Sequence, residues 1–272
     1  MGMGFSNAQM KAEKKHFILV HGACHGAWTW YKLKPLIEAA GHRVTVLDMA
    51  AAGVNRNTVE EIRTLSHYSQ PLLETMATVG AGEKVIVVAH SLGGLNLALA
   101  MDTHADNIAA AVFVTAYVPD TSHAPSYVLD KHSEKNQLED LLDIEFSSNG
   151  STNEAFTSML FGPKFLSTYL YQLSPIEDLE LAKTLVRPSP MFREDLSRAD
   201  KFKEEKFGSV TKFYVICSED KVIRKQYQEW MIQNSGIPKQ NVMEIEGADH
   251  MPMFSKPHQL AQCLLQIAKK YA

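Results

Sequence analysis

Ser91 lies in the pentapeptide Ala89-His90-Ser91-Leu92-Gly93, one methyl group away from the G-x-S-x-G pattern that places a serine hydroxyl on a strained strand-to-helix turn. A hydroxyl is a weak nucleophile until a base takes its proton, so such a serine needs an imidazole, and the imidazole needs a carboxylate to set its tautomer. The turn goes with a fixed chain order of serine, acid and histidine. His250 meets the last requirement in Glu246-Gly247-Ala248-Asp249-His250, directly after the apolar run Val242 to Ile245. Of the eleven histidines only His258 comes later, inside the final helical pattern. Asp220 follows the run Lys212 to Cys217 through Ser218-Glu219 and is the preferred acid, with Asp120 and Glu219 as rivals. Together these residues would carry out acyl transfer through a serine ester.

The negative oxygen that develops in such a reaction needs two backbone N–H donors. Leu92, immediately after the nucleophile, supplies one, and Ala23 in His21-Gly22-Ala23-Cys24-His25-Gly26 is the choice for the other. His21 and His25 sit four apart like metal ligands, but the glycines around them indicate a loop and no third ligand accompanies them. The chemistry requires no metal and no cofactor.

The elements that must hold these residues alternate between strand and helix. Six short apolar runs are read as strands: His16 to Val20, Arg43 to Asp48, Lys84 to Ala89, Ala109 to Val114, Lys212 to Cys217 and Val242 to Ile245. Continuous apolar runs indicate strands buried on both faces, hence a parallel sheet between helical layers. Helical spacing covers Lys32 to Ala40, Thr58 to Val79 with a bend or break at Pro71, Leu92 to Met101, and Lys256 to Tyr271. The run into Ala89 and the Leu- and Ala-rich segment after Ser91 supply the strand and the helix that the serine turn demands. Between Pro119 and about Lys201 the rhythm stops, and aromatic residues gather, Tyr127, Phe146, Phe156, Phe161, Phe165, Tyr169 and Tyr171 among them. This stretch is read as a mostly helical cap inserted after the fourth strand, over a pocket for a small apolar ligand. The expected division is a disordered leader over 1–15, a core of 16–118 and 202–272, and a cap of 119–201.

Bulk properties exclude other classes. The 272 residues are 45% hydrophobic and 21% charged with a net charge of −4, and no basic stripe suits nucleic acid. Three cysteines, Cys24, Cys217 and Cys263, are too few for a disulfide framework. No apolar run reaches the roughly 18 residues of a membrane span, and the first fifteen residues lack a signal-peptide core. A soluble cytoplasmic protein is expected, with a small-molecule ester as partner, no nucleic acid, no membrane, and a homodimer left open. Met1 to Ser6 fits a loose N-myristoylation pattern and Asn149-Gly150-Ser151 is a glycosylation sequon; neither is given weight.

Several stretches resemble the plant methylesterases of the α/β-hydrolase superfamily: His21 to Trp28, Tyr31 to Leu36, His90 to Gly94, Phe161-Gly162-Pro163-Lys164-Phe165, Leu185-Val186-Arg187-Pro188, Glu219-Asp220-Lys221 and Gly247 to Met251. The resemblance runs from about His16 to the C-terminus. It implies the α/β-hydrolase fold, hydrolysis of methyl esters of salicylate, jasmonate, indole-acetate or alkaloid type, a triad of Ser91, Asp220 and His250, and an oxyanion hole at Ala23 and Leu92. Ala89 departs from the family's usual glycine. Related hydroxynitrile lyases have threonine in place of Ala23, glutamate in place of His90 and lysine in place of Met251, so all three positions favour the esterase. An alkaloid-type esterase whose acid product loses carbon dioxide and a ligand-binding receptor are the alternatives. His25, His90, Tyr127, Phe161 and Met251 are the expected substrate contacts.

Overall fold

The computed structural model describes residues 14–135, 141–148 and 157–271. Most of the expected leader, the acylation pattern and the sequon lie outside the described residues. The core strands are β1 (His16–Val20), β2 (Arg43–Leu47), β3 (Val85–His90) and β4 (Ile108–Val114). The 119–201 stretch contributes β5 (Glu145–Ser148), β6 (Thr157–Leu160) and β7 (Ser189–Pro190), and the core resumes with β8 (Lys212–Cys217) and β9 (Val242–Ile245). The six core strands form one parallel sheet in the order β2-β1-β3-β4-β8-β9. All six runs read from the sequence are strands, with ends shifted by no more than one residue.

The sheet is buried on both faces because side chains alternate across a strand. Ile18, Val20, Val85, Val87, Ala89, Ala111 and Phe113 enter one apolar layer, while Phe17, Leu19, Ile86, Val88, Ala110, Val112 and Val114 enter the other. Helices cover both layers. The helix Gly93–His104 packs on the first, and Leu33–Ala39 packs with Pro257–Lys269 on the second. In the last helix Leu260, Ala261, Leu264, Ile267 and Ala268 fall at helical spacing and are all buried.

Two helical expectations are refined. The Thr58 to Val79 pattern is broken into a 3₁₀ turn at Val59–Glu61, a short helix Leu65–Tyr68 and a helix Gln70–Ala77 whose first turn holds Pro71. Proline lacks an N–H and suits a helix start, so the chain divides just before it. The helix Lys225–Asn234 between β8 and β9 was not expected. It carries the polar Gln228 into the core, where the side chain bonds the backbone of Cys217, so the apolar signal of this helix is weak.

The 119–201 stretch holds helices Tyr127–Lys135, Ile176–Leu185 and Arg193–Arg198, but also an antiparallel sheet β5-β6-β7. These strands are two to four residues long, and β5 is exposed throughout. So short and polar an edge leaves no apolar run to read.

Candidate active site

A parallel sheet delivers all its strand ends to one edge, and the loops leaving that edge meet there. Ala23 comes three residues after β1, Ser91 one after β3, Thr115 one after β4, Asp220 three after β8 and His250 five after β9. The neighbouring strands are in register, with Val20 opposite Ala89 and His90 opposite Val114. Residues as distant in the chain as Ala23 and His250 are thereby brought to one place.

Ser91 adopts a left-handed backbone, φ 55°, which is unfavourable for a residue with a Cβ. Tight packing around the turn over-determines it. A Cβ on Gly93 would lie 2.5 Å from the His21 carbonyl oxygen, and one on Gly94 would strike the Tyr117 carbonyl. On the facing loop, a Cβ on Gly22 would come within 2.8 Å of the Ser91 Cβ. Ala89 is fully buried and packs in the first apolar layer, so its extra methyl group is absorbed there.

The Ser91 hydroxyl lies 3.0 Å from His250 Nε2, and His250 Nδ1 lies 2.7 Å from Asp220 Oδ2. All three residues are buried. The opposite carboxylate oxygen, Oδ1, accepts the N–H groups of Val222 at 2.7 Å and Ile223 at 2.9 Å. Thr115, another left-handed residue with φ 36°, donates its hydroxyl to Asp220 Oδ2. Of the rival acids, Asp120 is occupied by Ser122, His123 and Asn234, and Glu219 is exposed. Thr115 was missed from the sequence. The only available signal was a hydroxyl directly after the fourth apolar run.

A cavity of about 400 Å³ opens over Ser91 and His250. Leu129, Ile144, Met159, Phe161, Phe165, Leu170, Met191 and Val222 give it apolar walls, and Tyr117, His132, Ser133, Tyr169, Arg193 and Lys221 add polar groups. Ala23 and Leu92 both line it beside Ser91, and among the described residues no backbone carbonyl accepts from either amide. That leaves both N–H groups available to a ligand oxygen.

Of the five expected substrate contacts, Phe161 lines this cavity, while His25, His90, Tyr127 and Met251 are not among its lining residues. His90 Nε2 donates to the His250 carbonyl at 2.7 Å, and the two rings are 4.7 Å apart. Burial, reinforced by His250, holds the His90 pKa well below the usual histidine range. His90 therefore braces the backbone of His250. His25 braces the Ala23 loop instead: Nδ1 donates to the Ala23 carbonyl at 2.7 Å and Nε2 accepts the Tyr171 hydroxyl at 2.8 Å. Its ring stacks between Trp28 and Tyr171, and burial pushes its pKa down to about 3. Met251 is fully buried in the second apolar layer, and Tyr127 stacks on His123 at 3.9 Å. His21 donates through Nδ1 to the Gly22 carbonyl and accepts the Met49 N–H at Nε2, so both ring nitrogens serve the loop backbone.

Asp249, next to His250, was also missed. Its buried carboxylate accepts the Leu173 N–H and Ser174 hydroxyl from the 119–201 stretch, and the Met251 N–H and Ser255 hydroxyl from its own loop. It joins the His250 loop to that stretch.

A parallel sheet with a serine at the β3 turn and a buried histidine–carboxylate pair at the same edge defines an α/β hydrolase, and the Alpha/beta hydrolase family profile matches residues 17–263. Within that family the chain belongs to the plant methylesterases. It is 54% identical over 259 residues to Salicylic acid-binding protein 2 of Nicotiana tabacum, covering 95% of this chain and 99% of that one. It is 50% identical over 262 residues to Methylesterase 3 of Arabidopsis thaliana, covering 95% and 98%. The crystal structure of polyneuridine aldehyde esterase superposes with a TM-score of 0.91 at 46% identity, covering 94% of this chain and all of that one. The protein is a serine esterase of the α/β-hydrolase type, a carboxylic ester hydrolase. Among the described residues no helix is long and apolar enough to cross a membrane.

Proposed function

We propose that this protein hydrolyses methyl esters of small, largely apolar plant carboxylic acids through an acyl-enzyme on Ser91. The hydrogen-bond chain from Ser91 Oγ to His250 to Asp220, at 3.0 and 2.7 Å beneath an apolar cavity, carries this reading. His250 Nε2 takes the hydroxyl proton as Ser91 Oγ attacks the ester carbonyl carbon. The carbonyl oxygen becomes an oxyanion held by the Ala23 and Leu92 N–H groups, and Asp220 stabilises the imidazolium. Collapse breaks the bond to the methoxy oxygen, which leaves as methanol with the proton from His250. Water then attacks the acyl carbon, giving its proton to His250, and the carboxylic acid departs as Ser91 regains its hydrogen. In this scheme 16–118 and 202–272 form the catalytic core and 119–201 the cap that shapes the acyl pocket.

The test is Ser91→Ala. Hydrolysis of a p-nitrophenyl ester by the purified protein is expected to fall by about 10⁴-fold or more; retention of activity would sink the assignment. A panel of salicylate, jasmonate, indole-acetate and alkaloid methyl esters ranks the acyl groups. A second reading, a binding protein, is favoured by the similarity to the tobacco relative, which is a salicylic acid-binding protein. Turnover measured beside affinity separates the two, since tight binding of an acid with no ester turnover supports the receptor.

A further inference from the structure

Tyr117 and His132 line the cavity as a hydrogen-bonded pair that the proposed reaction does not use. The Tyr117 backbone is anchored at the serine turn, where its N–H donates to the Ser91 carbonyl at 3.1 Å. His132, on the helix Tyr127–Lys135, lies with Nε2 2.9 Å from the Val222 carbonyl and Nδ1 2.8 Å from the Tyr117 hydroxyl. A carbonyl can only accept, so Nε2 carries the proton and Nδ1 offers a lone pair. The Tyr117 proton is therefore committed to His132. Burial moves the His132 pKa down and the Tyr117 pKa up, which keeps both groups neutral. What remains for a ligand is the Tyr117 oxygen as an acceptor. At the same cavity Arg193 is engaged with Ser133.

We propose that Tyr117, positioned by His132, selects methyl esters whose acyl part carries an N–H or O–H donor. The proposal rests on the esterase reading of this cavity and names its substrate class. A ligand that presents only an acceptor, such as a ring ketone, would face the Tyr117 oxygen without a proton between them and would leave that oxygen desolvated and unpaired.

The experiment compares methyl indole-3-acetate with methyl benzothiophene-3-acetate, in which sulfur replaces the N–H at nearly constant shape. Affinities are measured by calorimetry on the full chain carrying Ser91→Ala, so that no ester is consumed. The indole ester is expected to bind about threefold to tenfold more tightly, the range of one neutral hydrogen bond. Adding Tyr117→Phe should bring the two affinities together. His132→Leu, which leaves Tyr117 in place but frees its proton, should keep the indole preference and let methyl jasmonate, whose ring ketone can only accept, bind more tightly than it does with His132 present. Equal affinities in the Ser91→Ala protein, a preference that survives in a folded Tyr117→Phe protein, or no gain for methyl jasmonate in a folded His132→Leu protein would overturn the proposal. Turnover by the unmodified chain keeps the two ideas apart: no turnover of either ester with the binding preference intact counts against the esterase reading alone, and turnover without preference counts against Tyr117 alone.

Discussion

At the scale of single residues, the Asp220 carboxylate is held by more than its histidine. Thr115 and His250 share Oδ2, and the Val222 and Ile223 amides share Oδ1. Four donors leave one orientation for the carboxylate and hence one for the imidazole it bonds. Thr115→Val is expected to reduce kcat/KM by about tenfold to a hundredfold, the worth of one hydrogen bond to a charged group. Asp220→Asn should cost about 10⁴ in kcat, since an amide favours the wrong imidazole tautomer. Steady-state kinetics on one methyl ester checks both, and equal losses in the two variants would contradict the division of labour. The hydrogen-bonded set of Ser91, Asp220 and His250 could be singled out in the sequence because each follows an apolar run by a few residues, where the proposed nucleophile, acid and base would sit. Thr115 and Asp249 could not, because they act through hydrogen bonds to partners more than seventy positions away, and chain spacing carries no trace of such a bond.

Among the elements, the turn from β3 into Gly93–His104 depends on contact between backbones. Gly94 sits where a methyl group would meet the Tyr117 carbonyl, an atom fixed by its strand-end loop. Gly94→Ala is expected to destabilise the fold by on the order of 1–3 kcal/mol or more, because neither backbone can yield without moving Ser91. Gly80→Ala is the control, with only the end of Glu83 at 3.8 Å, and should stay within about 0.5 kcal/mol. Urea unfolding measures both; a Gly94→Ala protein as stable as Gly80→Ala would mean that the turn has slack. The core strands were readable because burial on both faces writes an unbroken apolar run. The β5-β6-β7 sheet left no such run, since its strands are short and lie partly in solvent.

The whole molecule buries several neutral histidines, and this sets its response to acid. Burial lowers the pKa of His21, His25 and His90 from the ordinary 6.5, in His25 to about 3. Below pH 6.5 the unfolded chain takes up protons that the folded chain refuses, so folding stability is complete above that pH and declines as the pH falls toward 3. Each such histidine contributes a slope of about 1.4 kcal/mol per pH unit in that window. Urea midpoints should therefore fall steadily from about pH 7 to about pH 5, and His25→Gln should flatten the decline. A flat profile for the parent protein over this range would show that these rings ionise inside the fold.

The amino-acid sequence by itself determined the architecture of the core and pointed to Ser91, Asp220 and His250 as the groups that the proposed reaction uses. Both are written locally, in apolar runs, in small residues around Ser91, and in the order of serine, aspartate and histidine along the chain. Tertiary structure alone decided what surrounds them. It gave His25 and His90 hydrogen bonds that brace Ala23 and His250, buried Met251 in the second apolar layer, and paired Tyr117 with His132 in the cavity wall. The reason is physical: a strand's periodicity states which side of the sheet a residue occupies, but a loop side chain takes its partner from whatever the fold brings within hydrogen-bond distance.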